Sequence, residues 1–323
     1  SAGIGQLIWI AVACSRAKVM IQLPRPRLTP GVRRLLRLMA PGLIGAGVVQ
    51  INLVVDVILA STLVEGSVSY LYFADRVNQL PLGVVGVAVG VVLLPLLTRQ
   101  LSSGDDVGAA ESQNRAIEFA LYLTLPAAAA LIAIADPIVS VLFERGAFDA
   151  HAAKQTAAAL SAFAVGLPAY VLIKALTPGF FARQDTATPV KIAVAAMVLN
   201  IVLAVALMQI LAHVGIALAT ACSAWLNAAL LAGVLRRRKQ LGIDARLWRN
   251  APRTLLAAGL MAGALLFGAW GLADLLAGTT EARILALFVL VGVGLTLYGV
   301  LTYLLGVLRF SELRALLRRS PSA

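Results

Sequence analysis

Charge is scarce in this sequence. Only 13% of its 323 residues are Asp, Glu, Lys or Arg, about half the share of a soluble globular domain. Histidine and cysteine are rarer still, with two of each. Cys14 and Cys222 lie far apart in apolar runs without CxxC spacing, so neither a disulfide framework nor a thiolate metal site is indicated. His151 and His213 lack metal-ligand spacing, and no Walker loop, HExxH or GxSxG motif occurs. No enzyme constellation is legible.

What fills the sequence instead is apolar. It is 60% hydrophobic, with a mean hydropathy of +0.91, and a run of about 20 such residues spans a bilayer as a helix. The expected fold is an all-α, polytopic membrane helix bundle. Eight spans can be drawn, at 41–62, 66–100, 112–134, 153–182, 188–210, 214–236, 253–276 and 283–309. Pro81 and Pro95 in the second span, and Pro168 and Pro178 in the fourth, are expected bends. Residues 2–14 are apolar but short and read as the end of a helix, which makes the chain the C-terminal part of a larger transporter.

The few charges sort by connection. Alternate connections carry Arg25, Arg33 and Arg37, then Arg99 and Arg115, then Arg236, Arg237, Arg238 and Lys239, then Arg314 and Arg318. The intervening ones carry Glu65, Asp136, Asp149, Asp274 and few bases. This is the positive-inside pattern, which puts the basic connections and the C-terminus in the cytoplasm. It also accounts for most of the +12 net charge, so no nucleic-acid partner is needed. The stretch 28–42 reads as an amphipathic helix on the inner membrane surface, and 136–149 as a half-buried helix on the outer one.

Four charges remain at depth: Asp56, Asp75, Arg76 and Lys174. Charged residues inside a membrane mark function by default. Arg76 lies ten residues into its span, about 15 Å at 1.5 Å per residue. It shares a helix face with Ser69, Tyr72 and Gln79. One reading is a water-filled, anion-binding cavity; the other is a structural ion pair with Asp75, which points elsewhere on the helix. Asp56 follows Asn52 by one turn, and Asn200 and Thr220 on later spans can join them. That set suits a sodium ion or a proton relay, and equally suits hydrogen bonding between helices. Lys174 reads as a snorkelling residue. Gly83, Gly86 and Gly90 read as a close-packing face, or as a place where the helix bends.

Two stretches carry a family resemblance. "YLYFADRVNQLPLGVVGVAVGVVLLP" from residue 70 and "PGFFARQDTATPVKIA" at 178–193 resemble the MurJ (MviN) lipid II flippases, within the superfamily that includes the MATE drug exporters. The resemblance runs through essentially the whole chain. It implies the C-terminal lobe of a MATE-like transporter plus two extra helices. Residues 1–40 would be a helix end and basic linker, 41–236 the six-helix lobe, and 237–252 a basic cytoplasmic linker. Residues 253–309 would form a groove for an isoprenoid tail, and 310–323 a basic tail. The implied activity is flipping of lipid II across the bacterial inner membrane by alternating access. Arg76, Asp75, Gln79, Tyr72 and Ser69 would contact substrate, with no cofactor beyond a sodium ion at Asp56, Asn52, Asn200 and Thr220, or coupling to protons or membrane potential. Lipid II, membrane lipids and cell-wall synthesis proteins are the implied partners.

The sequence departs from the family pattern in two places. Some relatives carry Glu where this chain has Gln79, and an acid where it has Ala204. Two alternatives stand beside the flippase reading: a MATE-like cation-coupled drug antiporter, which would want an acidic cavity, and a non-transporting scaffold of cell-wall synthesis.

Overall fold

The computed structural model describes residues 2–16, 45, 47–48, 50–242 and 244–307. The chain divides into two compact units, Ser1–Ala40 and Pro41–Ala323. In the first, α1 (Ala2–Arg16) is an apolar helix with Arg16 in its last turn, where a cation meets the negative end of the helix dipole. The helix expected at 28–42 and the tail at 310–323 lie outside the described residues.

The second unit is helical. Its elements are α2 (Gln50–Ser61), α3 (Ser67–Ser102), α4 (Asp106–Ala133), α5 (Ala135–Phe143), α6 (Ala150–Phe181), α7 (Ala187–Arg237), α8 (Ala245–Gly271), α9 (Ala273–Leu276) and α10 (Thr280–Leu304). Among the described residues, β pairing is confined to one bridge, Arg145 to Phe148. Among the described residues, six helices are long and apolar enough to cross a membrane. Side chains cap the loop-to-helix junctions: Asp105, Asp149, Asp244 and Thr279 each accept from a backbone N–H three residues on.

The 51 residues of α7 would measure about 77 Å if straight, more than twice the hydrocarbon thickness of about 30 Å. They double back instead. Ala212 has φ 49 and ψ −132, a backbone region strained for a residue with a Cβ. A Cβ on Gly215 would stand 2.5 Å from the carbonyl of Leu207, so only glycine lets the arms close. At the other end Arg238 donates to Asp185, at 2.6 Å, and to Thr188, fifty residues earlier, at 3.1 Å. The expected spans 188–210 and 214–236 are the two arms.

That second contact gives the "RQDT" stretch a structural account. Asp185 accepts from the Thr188 N–H and hydroxyl and so caps α7. Burial pushes the Asp185 carboxyl up, but the bonds from Arg238 and Thr188 outweigh it and hold the group below the usual carboxylate range.

The most buried long helix is α6. Many of its buried positions are small, among them Ala157, Ala159, Ala164, Gly166, Ala169 and Ala175. A Cβ on Gly166 would lie 2.9 Å from the Cα of Ala221, so α6 and α7 meet nearly backbone to backbone. Pro168 and Pro178 sit inside this helix. Beside Pro178 the buried Gln113 amide donates to the carbonyls of Ala175 and Leu176, at 3.4 and 3.3 Å. The carbonyl that Pro178 leaves without its helical donor is that of Lys174, and Gln113 bonds the two carbonyls that follow it. As expected, 136–149 contains a short half-buried helix, α5; Phe143 and Phe148 pack with Phe73 of α3.

The last long helices, α8 and α10, pack on each other and on α4. Leu265 fills the space over Gly294, and Leu290 that over Gly268. The Tyr298 hydroxyl donates to the Tyr122 carbonyl at 2.6 Å. At the base, Glu118 of α4 accepts from Arg115, Arg246 and Asn250, while Arg115 also pairs with Asp244.

Candidate functional site

A cavity of about 590 Å³ opens between α2, α3, α6 and α7. Its walls include Asn52 and Asp56 of α2, Tyr72, Asp75, Arg76, Asn78 and Gln79 of α3, Tyr170 and Lys174 of α6, and Thr220 of α7. All four deep charges therefore reach one space. Ser69 is exposed and lies outside the lining, although it shares the helix face of Tyr72 and Arg76.

Asp75 and Arg76 meet through Gln79. The Gln79 amide nitrogen donates to Asp75, one turn back, and its oxygen accepts from Arg76 Nη1 at 3.5 Å. Only a side chain with both a donor and an acceptor can stand between an acid and a base in this way. A Glu at 79 would set two carboxylates together. With Gln79 in place, Asp75 is occupied and Arg76 is left facing the cavity. The guanidinium stacks on Tyr72, 4.9 Å from the ring centroid.

Asp56 lies in a knot of side chains from three helical segments. Asn52 donates to one carboxylate oxygen at 3.2 Å and Asn200 to the other at 3.2 Å. Asn200 also donates to the Asn52 oxygen at 2.8 Å. Thr220 adjoins the carboxylate, with its hydroxyl bonded to the Ile216 carbonyl at 3.0 Å. Asn200 Oδ1 is buried without a hydrogen-bond partner. One carboxylate, two amides and a hydroxyl stand together here, but the Asn52 and Asn200 nitrogens face the carboxylate, so an oxygen shell for a hard cation would need those amides turned over. Ala204, buried one turn further along, adds nothing.

Three expectations need correction. Lys174 reaches the cavity rather than a membrane surface, and its stem lies across Gly86, whose absent Cβ would be 2.6 Å from Lys174 Cδ. Gly86 therefore admits a side chain, while Gly83 and Gly90 have nothing within 4 Å of a built Cβ, so the three do not form a close-packing face. The cavity is also not simply basic: Arg76 and Lys174 share it with Asp56 and Asp75. The charges are segregated. Amides hold both carboxylates, whereas neither cation has a carboxylate within salt-bridge distance among the described residues.

Two lining residues had no sequence signal strong enough to single them out. Asn78 is buried in α3 with its Oδ1 unpartnered, and the Tyr170 hydroxyl is buried and unpartnered as well. Tyr170 lies one turn before Lys174, a pairing that placed a polar stripe on α6 without saying which way it faced.

Comparison with known proteins agrees with this architecture. The family model described as "Lipid II flippase MurJ" matches residues 2–308. A protein of Rhizobium meliloti (strain 1021) named "Probable lipid II flippase MurJ" is 44% identical over 325 residues, covering 100% of this chain and 61% of that protein. The Vibrio cholerae protein of the same name is 38% identical over 286 residues, 88% of this chain and 54% of its own. The chain thus spans about three fifths of the length of such relatives. Among solved structures, "Lipid II flippase MurJ, inward closed conformation" superposes with a TM-score of 0.67 at 26% identity, covering 90% of this chain and 58% of that one. A multidrug resistance MATE family transporter in its outward-facing conformation gives 0.59 at 18% identity, covering 86% and 68%, and shares the fold.

Proposed function

The chain belongs to the lipid II flippase MurJ family, and from that premise we propose that it forms the C-terminal lobe of a flippase for lipid-linked peptidoglycan precursor in the bacterial inner membrane. The observation that carries this reading is the pair Arg76 and Lys174, which face one cavity while amides hold the nearby carboxylates. A pyrophosphate headgroup entering an apolar protein loses hydration, and fixed cations offset part of that penalty. Tyr72 holds the Arg76 plane, and Gly86 leaves Lys174 room to reach the cavity. The role is transport: binding and release from alternate sides as this lobe rocks against its partner.

The isoprenoid tail would stay in lipid. A surface groove of about 380 Å³ on α10, lined by Gly292, Val293, Thr296, Leu297 and Val300, is apolar enough to receive it. Asp56, Asn52, Asn200 and Thr220 would hold a sodium ion, which would supply a coupling charge; protons or membrane potential are the alternative. The cytoplasmic C-terminus follows from the loop charges.

Lipid II binding by a full-length transporter carrying this sequence tests the reading. Retention of a pyrophosphate-linked lipid, lost in Arg76→Ala, supports it. Retention of cationic dyes with no preference for the pyrophosphate would favour the MATE-like antiporter, for which the two cavity carboxylates are the specific argument.

A further inference from the structure

At the end of the bundle that the loop charges mark as cytoplasmic, α8 begins where α10 ends. Arg246, Arg249 and Arg253 recur at i, i+3 and i+7 and share one face of α8. Gly306, with φ 68, stops α10. Its N–H bonds the Tyr303 carbonyl at 3.0 Å and that of Val307 bonds Thr302 at 2.9 Å, a left-handed glycine stop. Arg253 Nη1 donates to the Leu305 carbonyl at 3.0 Å and so ties the two helix ends. Between them lies a cavity of about 40 Å³, lined by Arg246, Arg249, Asn250, Gly306 and Val307. An ordered water needs about 10–15 Å³ of such space, so the cavity takes a group the size of a phosphate and not an acyl chain.

Among the described residues the charges around it do not cancel. Arg115 and Arg246 are matched by Glu118 and Asp244. Arg249 is exposed, and the bond Arg253 makes among the described residues goes to a neutral carbonyl. Asn250 is 3% exposed. Its nitrogen donates to Glu118, while its Oδ1 has no partner. The wall thus offers cations for an anion and an acceptor for a hydroxyl. Trp248, 76% exposed, stands on the same turn, and an exposed indole among arginines marks a membrane–water interface.

We propose that this pocket is a binding site for the headgroup of an anionic phosphoglycerol lipid of the inner leaflet. The phosphate sits against Arg249 and Arg253, and the glycerol hydroxyl points toward Asn250 Oδ1. The acyl chains lie outside along α8 and α10. A lipid held there pins the base of the last two helices together, independently of what the central cavity transports.

The test uses the full-length protein in detergent, offered phosphatidylglycerol, phosphatidylcholine or inorganic phosphate, with bound lipid read by native mass spectrometry. The wild type is expected to retain phosphatidylglycerol over phosphatidylcholine. Arg249→Gln should lower that preference about fivefold, the effect of one basic residue at an anionic surface, and Arg249→Lys should keep most of it. Because Arg249 is exposed and without a salt bridge among the described residues, the unfolding temperature in phosphatidylcholine should not move. Equal retention of the two lipids, or an unchanged preference in Arg249→Gln, overturns the proposal. Displacement of the lipid by millimolar phosphate also overturns it, in favour of a free-phosphate site.

Discussion

Two regions of the molecule collect its interior charges and treat them in opposite ways. Where α4 meets the start of α8, Glu118, Asp244, Arg115 and Arg246 are all paired in one knot. In the cavity between α2, α3, α6 and α7, Arg76 and Lys174 face open space, and the oxygens of Asn78 and Tyr170 lack partners. A buried polar group left unpaired costs about 1–3 kcal/mol. A region that keeps such groups holds a deficit that water or a ligand relieves. A region that pairs its charges is holding helices together. The difference separates the large cavity from the paired knot that supports the helices, beside which the unpartnered Asn250 Oδ1 marks the small basal pocket.

The largest effect should come from the cavity. Arg76→Ala is expected to abolish complementation in cells depleted of the native flippase, while the protein still inserts and folds. Arg76→Lys should rescue only partly, because an ammonium lacks the planar fork that stacks on Tyr72 and pairs with phosphate. Full activity of the alanine variant would end the comparison, since the cavity's open cation would then have no use. Gln79→Glu should follow with a loss of about tenfold in transport rate, since a carboxylate placed beside Arg76 competes with an anionic headgroup at a cost of about 1.4 kcal/mol. Transport at the wild-type rate would show that the amide bridge is incidental.

The knot should answer differently. Glu118→Ala leaves Arg115, Arg246 and Asn250 without their shared acceptor. It is expected to lower stability by about 1–3 kcal/mol, seen as a lower unfolding temperature, with transport per folded molecule unchanged. If transport per folded molecule falls as much as it does in Arg76→Ala, the two regions are not separable.

The legibility of the sequence follows the same line. The helical bundle was readable because apolar runs leave a chain few choices in lipid. The proximity of Asn52, Asp56, Asn200 and Thr220 was also readable, because polar side chains on packed membrane helices seek one another. Lys174 was misjudged because its direction depends on Gly86, a residue on another helix about 90 positions earlier. Gln79 looked like a loss of charge and proved to be the piece between an acid and a base. The fold-back of α7 was visible as two spans, but the strained Ala212 at its turn carries no composition signal. Side-chain direction across helices is a tertiary property, and one-dimensional spacing does not encode it.

The smallest effect concerns a third polar group, which belongs by its pairing with the knot. Asp185 is bonded by Arg238 and Thr188 and sits below the usual carboxylate range. A depressed carboxylate contributes its full stabilisation above its unfolded pKa, about 3.9. That contribution fades as pH falls toward the lower folded value. Asp185→Asn keeps an oxygen for the Thr188 N–H but loses the charge, so it should cost under about 1 kcal/mol at neutral pH, as expected for a partly exposed pair. The difference between wild type and variant should shrink below about pH 4, read from unfolding temperatures of the two proteins across pH 7 to 3. A difference that stays constant over that range would mean that Asp185 acts through shape alone, and the pairing of Arg238 with the start of α7 would then be a contact of no electrostatic consequence.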